Sequence, residues 1–339
     1  MYSMVLIHDL NKKMQQDILN GVFEDTLPSI RLLAEKYHVG ASTMKLSLKQ
    51  LKEDGYLIGH QGKCIQVNPL AAGNLFFKKN IVFFIKLLRL QQPLYSQILE
   101  SLRLTFETKG ANVHLVNSMR QLVSLHFDVD ILILTEIKDT ELQAIIDKSL
   151  TDKIIFLNGY SNTYANVGTD NVRAGYEAIQ YLHEVKKHNH IGILSMYLDY
   201  ELSFNKFRRD GAWAYCKQHP EVTLTEVDTE NFNSCYDAIE DLFARDKNLT
   251  AIFATMDPLA FSVYAYAAKN NISIPSQLAV LGFDNSFYSE FAVPPLTTFA
   301  EDIKGINQAL LRLTQDKLTG GKDTGEHLSH PILVVRESV

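Results

Sequence analysis

Three polar side chains stand just behind short apolar runs in this chain: Asn158 after KIIFL, Asp257 after AIFAT and Asp284 after AVLGF. Runs of that kind read as buried strands, and open α/β sheets place ligands at the carboxyl ends of their strands. Arg208, in FRRDGAWAYC, adds a guanidinium whose forked donors fit paired hydroxyls or a carboxylate equally well. Acceptors, a fork of donors and an apolar wall are what a polyhydroxylated ligand requires. The set binds but offers no nucleophile. No GxGxxG follows a strand, and neither a Walker loop nor a GxSxG elbow is present. Pairs such as Glu24-Asp25 and Glu53-Asp54 fall at helix ends or in loops, where solvation explains them. An enzyme is therefore not expected, nor a cofactor. His183, His188 and His190 in HEVKKHNH have the residue type of a metal site without an accompanying ligand set, so no metal is expected either.

A second constellation lies near the N-terminus, in VGASTMKLSLKQLKEDG. At about 100° per residue, a helix here puts Met44, Ser47, Leu48 and Leu51 on one side and Ser42, Lys45, Lys49 and Lys52 on another. The first set can pack. The lysine stripe suits a phosphate-lined groove, and equally a solvated helix face.

The elements that must hold these residues divide the chain in two. Up to Leu70, apolar spacing predicts a helix from Asp9 to Leu19, a second opened by Pro28-Ser29, and a third from Val39-Gly40 to Asp54-Gly55. Tyr56–Ile58 and Cys64–Val67 then bracket a Gln61-Gly62 turn as a small hairpin. LAAGNLFFKK, residues 70–79, has no periodicity and reads as a linker. From Asn80 onward, NIVFFI, ANVHLV, VDILIL, KIIFLN, HIGILS, LTEVD, AIFAT and AVLGFD alternate with amphipathic segments. That alternation predicts parallel sheets flanked by helices, and so many strands suit two sheets with a cleft between them. At 339 residues, two or three domains are expected. Three scattered cysteines, no span-length apolar run and no basic-then-apolar leader suit a soluble, cytoplasmic protein. The net charge of −6 excludes a chain that coats nucleic acid, but the first seventy residues carry 8 Lys and Arg against 7 Asp and Glu. Local patches decide phosphate contact.

LPSIRLLAEKYHVGASTMKLSLKQLKEDGYLIGHQGKCIQV resembles the winged helix-turn-helix of the GntR repressor family over its whole length, through Leu27, Pro28, Ser29, Arg31, Leu33, Ala34, Val39, Thr43, Lys45, Leu48, Leu51, Gly55, Gln61 and Gly62. The resemblance implies DNA contacts from Arg31, Ser42, Thr43 and Lys45, with Gln61 and Gly62 on the wing. Lys49 and Lys63 add phosphate contacts. Gly40-Ala41 replaces the family's Ser-Arg, Leu46 a polar residue, and Cys64 the second wing glycine. Losing one arginine–guanine pair forfeits about 1–3 kcal/mol of discrimination while phosphate contacts survive, so an altered or weaker operator preference is expected.

VGTDNVRAGYEAIQYL, FRRDGAWAYC and ISIPSQLAVLGFDNSFYSEFAVPPLTTFAED are similar to blocks of the LacI/GalR repressors and related periplasmic sugar-binding proteins. This implies a two-lobed body over residues 80–339. Lobe 1 takes about 80–168 and 298–327, and lobe 2 about 169–297 and 328–339, behind a head at 1–69. Carried over, Arg208, Asp284 and Asn158 hold ligand hydroxyls, Asp257 joins them at a strand end, and Tyr95 and Phe232 supply apolar contact. On the residues alone, Asp284 also suits a turn and Phe232 a core. Met256 stands where the family presents an asparagine, and Ala212-Trp213 shifts its Gly-aromatic pair. Both point to a ligand less hydroxylated than usual, or one bound differently. The combination resembles the arabinose-repressor group. It implies a homodimeric, ligand-responsive repressor of double-stranded operator DNA, responding to a sugar or related effector. A cytosolic ligand binder with a vestigial head is the alternative that Ala41 favours.

Overall fold

A computed structural model describes residues 2–59, 64–86, 93–135, 143, 145, 150–159, 163–196 and 204–339. The head contains α1 (Tyr2–Leu19), α2 (Ile30–Lys36), α3 (Ala41–Glu53) and the antiparallel strands β1 (Leu57–Ile58) and β2 (Gln66–Val67). α1 begins seven residues before the expected Asp9. Its face of Leu10, Met14 and Ile18 closes over Leu33, Met44, Leu48 and Leu51, which is what keeps so small a unit folded. Ser29 caps α2, its hydroxyl accepting from the Leu32 N–H at 3.4 Å.

The body has β3 (Asn80–Phe84), α4 (Pro93–Thr108), β4 (Asn112–Val116), α5 (Met119–Val123), β5 (Ile131–Leu134), β6 (Ile154–Leu157), β7 (Ala165–Thr169), α6 (Asn171–Gln180), β8 (His190–Met196), α7 (Phe204–Cys216) and β9 (Thr223–Thr229). It continues with α8 (Cys235–Arg245), β10 (Ala251–Ala254), α9 (Asp257–Lys269), β11 (Ala279–Phe283), β12 (Thr297–Ala300), α10 (Ile303–Leu318), β13 (Glu326–Ser329) and β14 (Ile332–Val334). Two six-stranded sheets result, ordered β13-β7-β6-β5-β3-β4 and β14-β12-β11-β10-β8-β9. Both are parallel but for β14, which runs antiparallel to β12. Each carries apolar packing on both faces, so strands such as IIFL and AIFA are wholly buried.

All eight apolar runs are strands, but four more were not evident. β7 (ANVGT), β12 (TTFA), β13 (EHLS) and β14 (ILV) are polar or short, and only their neighbours make them strands. The chain crosses from the first sheet to the second between β7 and α6, and β12 still belongs to the second sheet. The crossing back therefore falls after Ala300, not near 298. The last crossing falls between β13 and β14.

Residues 70–79 are not a free linker. The segment turns on itself here, the Phe77 N–H donating to the Asn74 carbonyl and the Lys79 N–H to the Phe76 carbonyl, and the turn sends Phe77 into the head core beside Tyr56, ring centroids 5.2 Å apart, and Phe76 into the first-lobe core. The Lys78 N–H donates to the Gly110 carbonyl at 2.7 Å and Asn74 Nδ2 to the Lys109 carbonyl at 2.5 Å. Head and first lobe share one wedge.

Candidate functional site

The cleft chemistry starts with two glycines. α6 and α7 cross so closely that a Cβ on Gly175 would lie 1.7 Å from the Arg208 carbonyl oxygen, and one on Gly211 1.8 Å from that of Val172. Only hydrogen fits at either position. The crossing seats Arg208 over the start of α6, where its Nε donates to Asn171 Oδ1 at 2.9 Å. Its Nη1 donates to the Thr255 carbonyl at 2.6 Å, and the guanidinium carbon sits 3.4 Å from the Phe283 ring centre. The side chain is buried, and burial lowers its proton affinity against the pull of Asp284, Glu301 and Asp257. Neighbouring carboxylates keep an arginine this basic charged.

Asp284 ends β11 on left-handed backbone, φ 114°, followed by Asn285 at φ 46°. Its carboxylate approaches Arg208 Nη1 at 3.7 Å without a hydrogen bond, and Glu301 approaches Nη2 at 3.9 Å. Burial raises Glu301 to about 7, with Arg208, Asn158 and Thr169 opposing. Asp284 rises to about 8 through burial first, Arg208 opposing and Asp257 and Glu301 adding to it. Its side chain is still 36% exposed to the cleft, and that open face softens the rise. A carboxyl raised in the folded chain binds more protons there than when unfolded, so its contribution to stability falls as pH rises from about 4 toward 8. The melting temperature is expected to drop across that window less steeply in Asp284→Asn than in the parent chain. Parallel pH profiles would show that Asp284 is as well solvated as a surface carboxylate.

Asp257 departs from expectation. It is fully buried, its Oδ1 accepts from the Thr298 hydroxyl at 2.6 Å and its Oδ2 from the Ser286 N–H at 2.7 Å. Both oxygens are engaged in bracing the Asp284–Ser286 turn, and a Cβ on Gly282 would strike Oδ1 at 2.3 Å. Arg336 braces the same turn, its Nη2 donating to Asn285 Oδ1 at 2.8 Å. Asn158, at φ 47° behind β6, is buried, with Oδ1 accepting from the Thr169 N–H at 3.2 Å. Among the described residues its Nδ2, Thr169 Oγ1 and Glu301 Oε2 are buried side by side with no partner at hydrogen-bond geometry. Glu301 was missed from the sequence because it follows TTFA, too polar to read as a strand; once β12 is recognised, Glu301 occupies the same strand-end position as Asp284.

Tyr95 lies on α4, buried in the first-lobe core and near enough to influence Arg208. Phe232 is not core. It follows β9 and is 52% exposed. Met256 precedes α9, half-buried against the second-lobe core. The Ala212-Trp213 shift concerns packing away from Arg208: Ala212 is buried, and Trp213 Nε1 donates to Glu226 Oε2.

On the head, α3 buries Met44, Ser47, Leu48 and Leu51 and exposes Ala41, Ser42, Lys45, Leu46, Lys49 and Lys52. Thr43 is half-buried. Gly40 caps α3 with no side chain, leaving the N–H groups of its first turn open to an anion. Lys52 donates to the Gly59 carbonyl, Lys49 lies 3.8 Å from Glu53, and Arg31 Nε bonds Glu35 at 3.2 Å. Among the described residues Lys45 has no such partner. Ala41, Arg31 and His38 line an open hollow of about 670 Å³ between α2 and α3. Gln61, Gly62 and Lys63 lie outside the described residues, beside an exposed Cys64.

Residues 6–67 match the bacterial regulatory proteins of the gntR family, and residues 179–339 the periplasmic binding protein-like domain. The head is thus similar to gntR-family regulators, and residues 179–339 of the body to periplasmic-binding-protein-like domains. It is 33% identical over 177 residues to the HTH-type transcriptional repressor PurR of Actinobacillus pleuropneumoniae serotype 3 (strain JL03), covering 49% of this chain and 50% of that one. With the HTH-type transcriptional regulator MalR of Clostridium butyricum it shares 24% over 346 residues, 94% of this chain and 96% of MalR. The chain thus spans half the length of the first relative and nearly all of the second. The transcriptional regulator CelR–cellobiose complex superposes with TM-score 0.63 at 18% identity, over 92% of this chain and 100% of that one, a likeness of fold. These relatives are regulators of transcription, not enzymes. No helix among the described residues is long and apolar enough to cross a membrane.

Proposed function

We propose that the protein is a ligand-responsive transcriptional repressor, with a sugar or related polyol in the cleft and operator DNA under α3. The observation that carries this is a packed joint between two sites with unused polar groups. Arg208, Asp284 and Glu301 form a charged cluster with spare hydrogen-bonding capacity, the α3 face carries a free Lys45, and Phe76-Phe77 packs into both neighbouring cores. Asp284 supplies acceptors, Asn158 a donor through Nδ2, Arg208 the fork, and Tyr95 and Phe232 apolar surface. Asp257 acts by holding Asp284 in place. Arg31, Ser42, Thr43, Lys45 and Lys49 face DNA, with Gln61, Gly62 and Lys63 on the wing. The working form is a homodimer, since one head buries too little surface to bind a site tightly. Phe287, Tyr288, Phe291 and Val293 form an exposed apolar patch on the second lobe suited to self-association. Ligand re-angles the heads through the wedge, a coupling of about 1–3 kcal/mol in comparable systems.

Fluorescence anisotropy of the full chain with DNA from upstream of its own gene, at two salt concentrations, tests this reading. Each phosphate contact steepens the log–log salt slope by about 0.9, and Lys45→Ala is expected to weaken binding broadly and shallow the slope by about one contact. Absence of binding at low salt supports the second reading, a ligand sensor whose head, short of an arginine at Ala41, no longer reads DNA.

A further inference from the structure

His183, one of the three histidines in HEVKKHNH, finds different companions in space. His188 Nδ1 pairs with Thr250 Oγ1 and His190 Nδ1 with Asp246 Oδ2, both at 2.9 Å, so neither joins it. His219 and Glu221 do. Ligand-capable atoms of His183, His219 and Glu221 all lie within 4.8 Å of one another, on the outer side of the second lobe. Glu221 Oε1 stands 3.7 Å from His183 Nε2 and 3.2 Å from His219 Nδ1. A tetrahedral metal ion bound at about 2.0–2.1 Å separates its ligands by about 3.4 Å.

The surrounding bonds orient the group. The Tyr215 hydroxyl donates to Glu184 Oε1 at 3.1 Å and meets His183 Nδ1 at 2.8 Å. Its one proton is spent on Glu184, so His183 Nδ1–H is the donor to the Tyr215 oxygen. His183 Nε2 therefore faces the Glu221 carboxylate, whose Oε1 also lies within hydrogen-bond distance of His219 Nδ1, and a cation between them would be held by all three. Histidine ligands commonly donate their other N–H in this way, which fixes the ring and raises its basicity. The His219 ring is set by stacking on Tyr215, centroids 4.2 Å apart and planes 15° apart. His219 and Glu221 flank Pro220 in a turn closed by the Val222 N–H on the His219 carbonyl at 3.0 Å.

We infer that His183 Nε2, His219 Nδ1 and Glu221 form a site for a divalent transition-metal ion, Zn²⁺ by its ligand set, with water completing the shell. Two imidazoles and one carboxylate favour such an ion over Mg²⁺ or Ca²⁺, which take oxygen ligands. The ion ties the segment after α6 to the α7–β9 connection, at the far ends of the helices that seat Asn171 and Arg208.

The test is titration of chelator-stripped full-length protein with Zn²⁺ by calorimetry and with Co²⁺ by absorption. One equivalent per chain is expected, with a d–d spectrum free of thiolate charge transfer. His219→Ala and Glu221→Gln, both at solvent-accessible positions, are each expected to weaken it at least tenfold, and Tyr215→Phe by about tenfold or more through loss of the orienting bond. His188→Ala and Cys64→Ser should leave it unchanged. No binding by the parent chain, unchanged affinity in both ligand variants, or loss only in Cys64→Ser would overturn the site.

Discussion

Arg208→Ala is expected to abolish the effector response while leaving operator affinity nearly unchanged. The guanidinium gives Nε to Asn171 and Nη1 to the Thr255 carbonyl, and it meets Asp284 and Glu301 only at 3.7 and 3.9 Å. Its Nη2 edge is thus available to a ligand lying between the two acids. Hydrogen bonds to a charged group contribute about 1.5–3 kcal/mol each, so losing one or two weakens effector binding by at least roughly tenfold. The two carboxyls, deprived of the cation that opposes their rise in pKa, would hold their protons more firmly and accept ligand hydroxyls less well. The head is separated from this cluster by the whole first lobe, so the DNA titration should superimpose on that of the parent. An unchanged effector titration would remove Arg208 from the site and move attention to Asn158.

Gly211→Ala carries the second large effect. Its Cβ would lie 1.8 Å from the Val172 carbonyl and 2.9 Å from the Tyr176 N, both backbone atoms that no rotamer change relieves. α6 and α7 must separate, opening the packing of Ala174, Ala178, Ala212 and Tyr215. Overpacking typically costs about 1–3 kcal/mol, and a clash with two helix backbones belongs at the top of that range. The separation also lifts Arg208 from Asn171, so effector affinity should fall together with melting temperature. A variant that melts with the parent would mean that the helices slide without strain, and that Gly211 is there for some reason other than contact.

Much of this was legible in order. The alternation of IIFL, AIFA and AVLGF with helical segments specified two-faced parallel sheets, because strands buried on both sides must be apolar throughout. On α3, the 3.6-residue period alone separated Met44, Ser47, Leu48 and Leu51 from the lysine face, since a helix turns its residues at a fixed angle. Leu46, standing where the resemblance has a polar residue, is exposed, at 54%. The expectation failed where a residue's neighbours are distant in sequence. Asp257 and Asp284 follow equivalent strands and looked equivalent. The Thr298 hydroxyl and Ser286 N–H make one a brace, while the cleft leaves the other open.

What the sequence determined by itself was therefore the local alphabet: which segments turn as helices, which are buried strands, and that a lysine-faced helix precedes Asn158 and Asp284 at strand ends and Arg208 on a helix. Only the tertiary structure decided three further things. Residues 70–79 became a wedge because Phe76 and Phe77 found a core on either side. β7, β12, β13 and β14 became strands because the sheets offered their polar backbones a ladder. His183, His219 and Glu221 met because the α6–α7 crossing, made possible by two missing side chains at Gly175 and Gly211, brings together segments whose spacing in the chain gives no sign of contact. Local conformation depends on neighbours a few residues away and can be read along the chain. A site built across a crossing depends on how closely two backbones approach, and that is settled only when they pack.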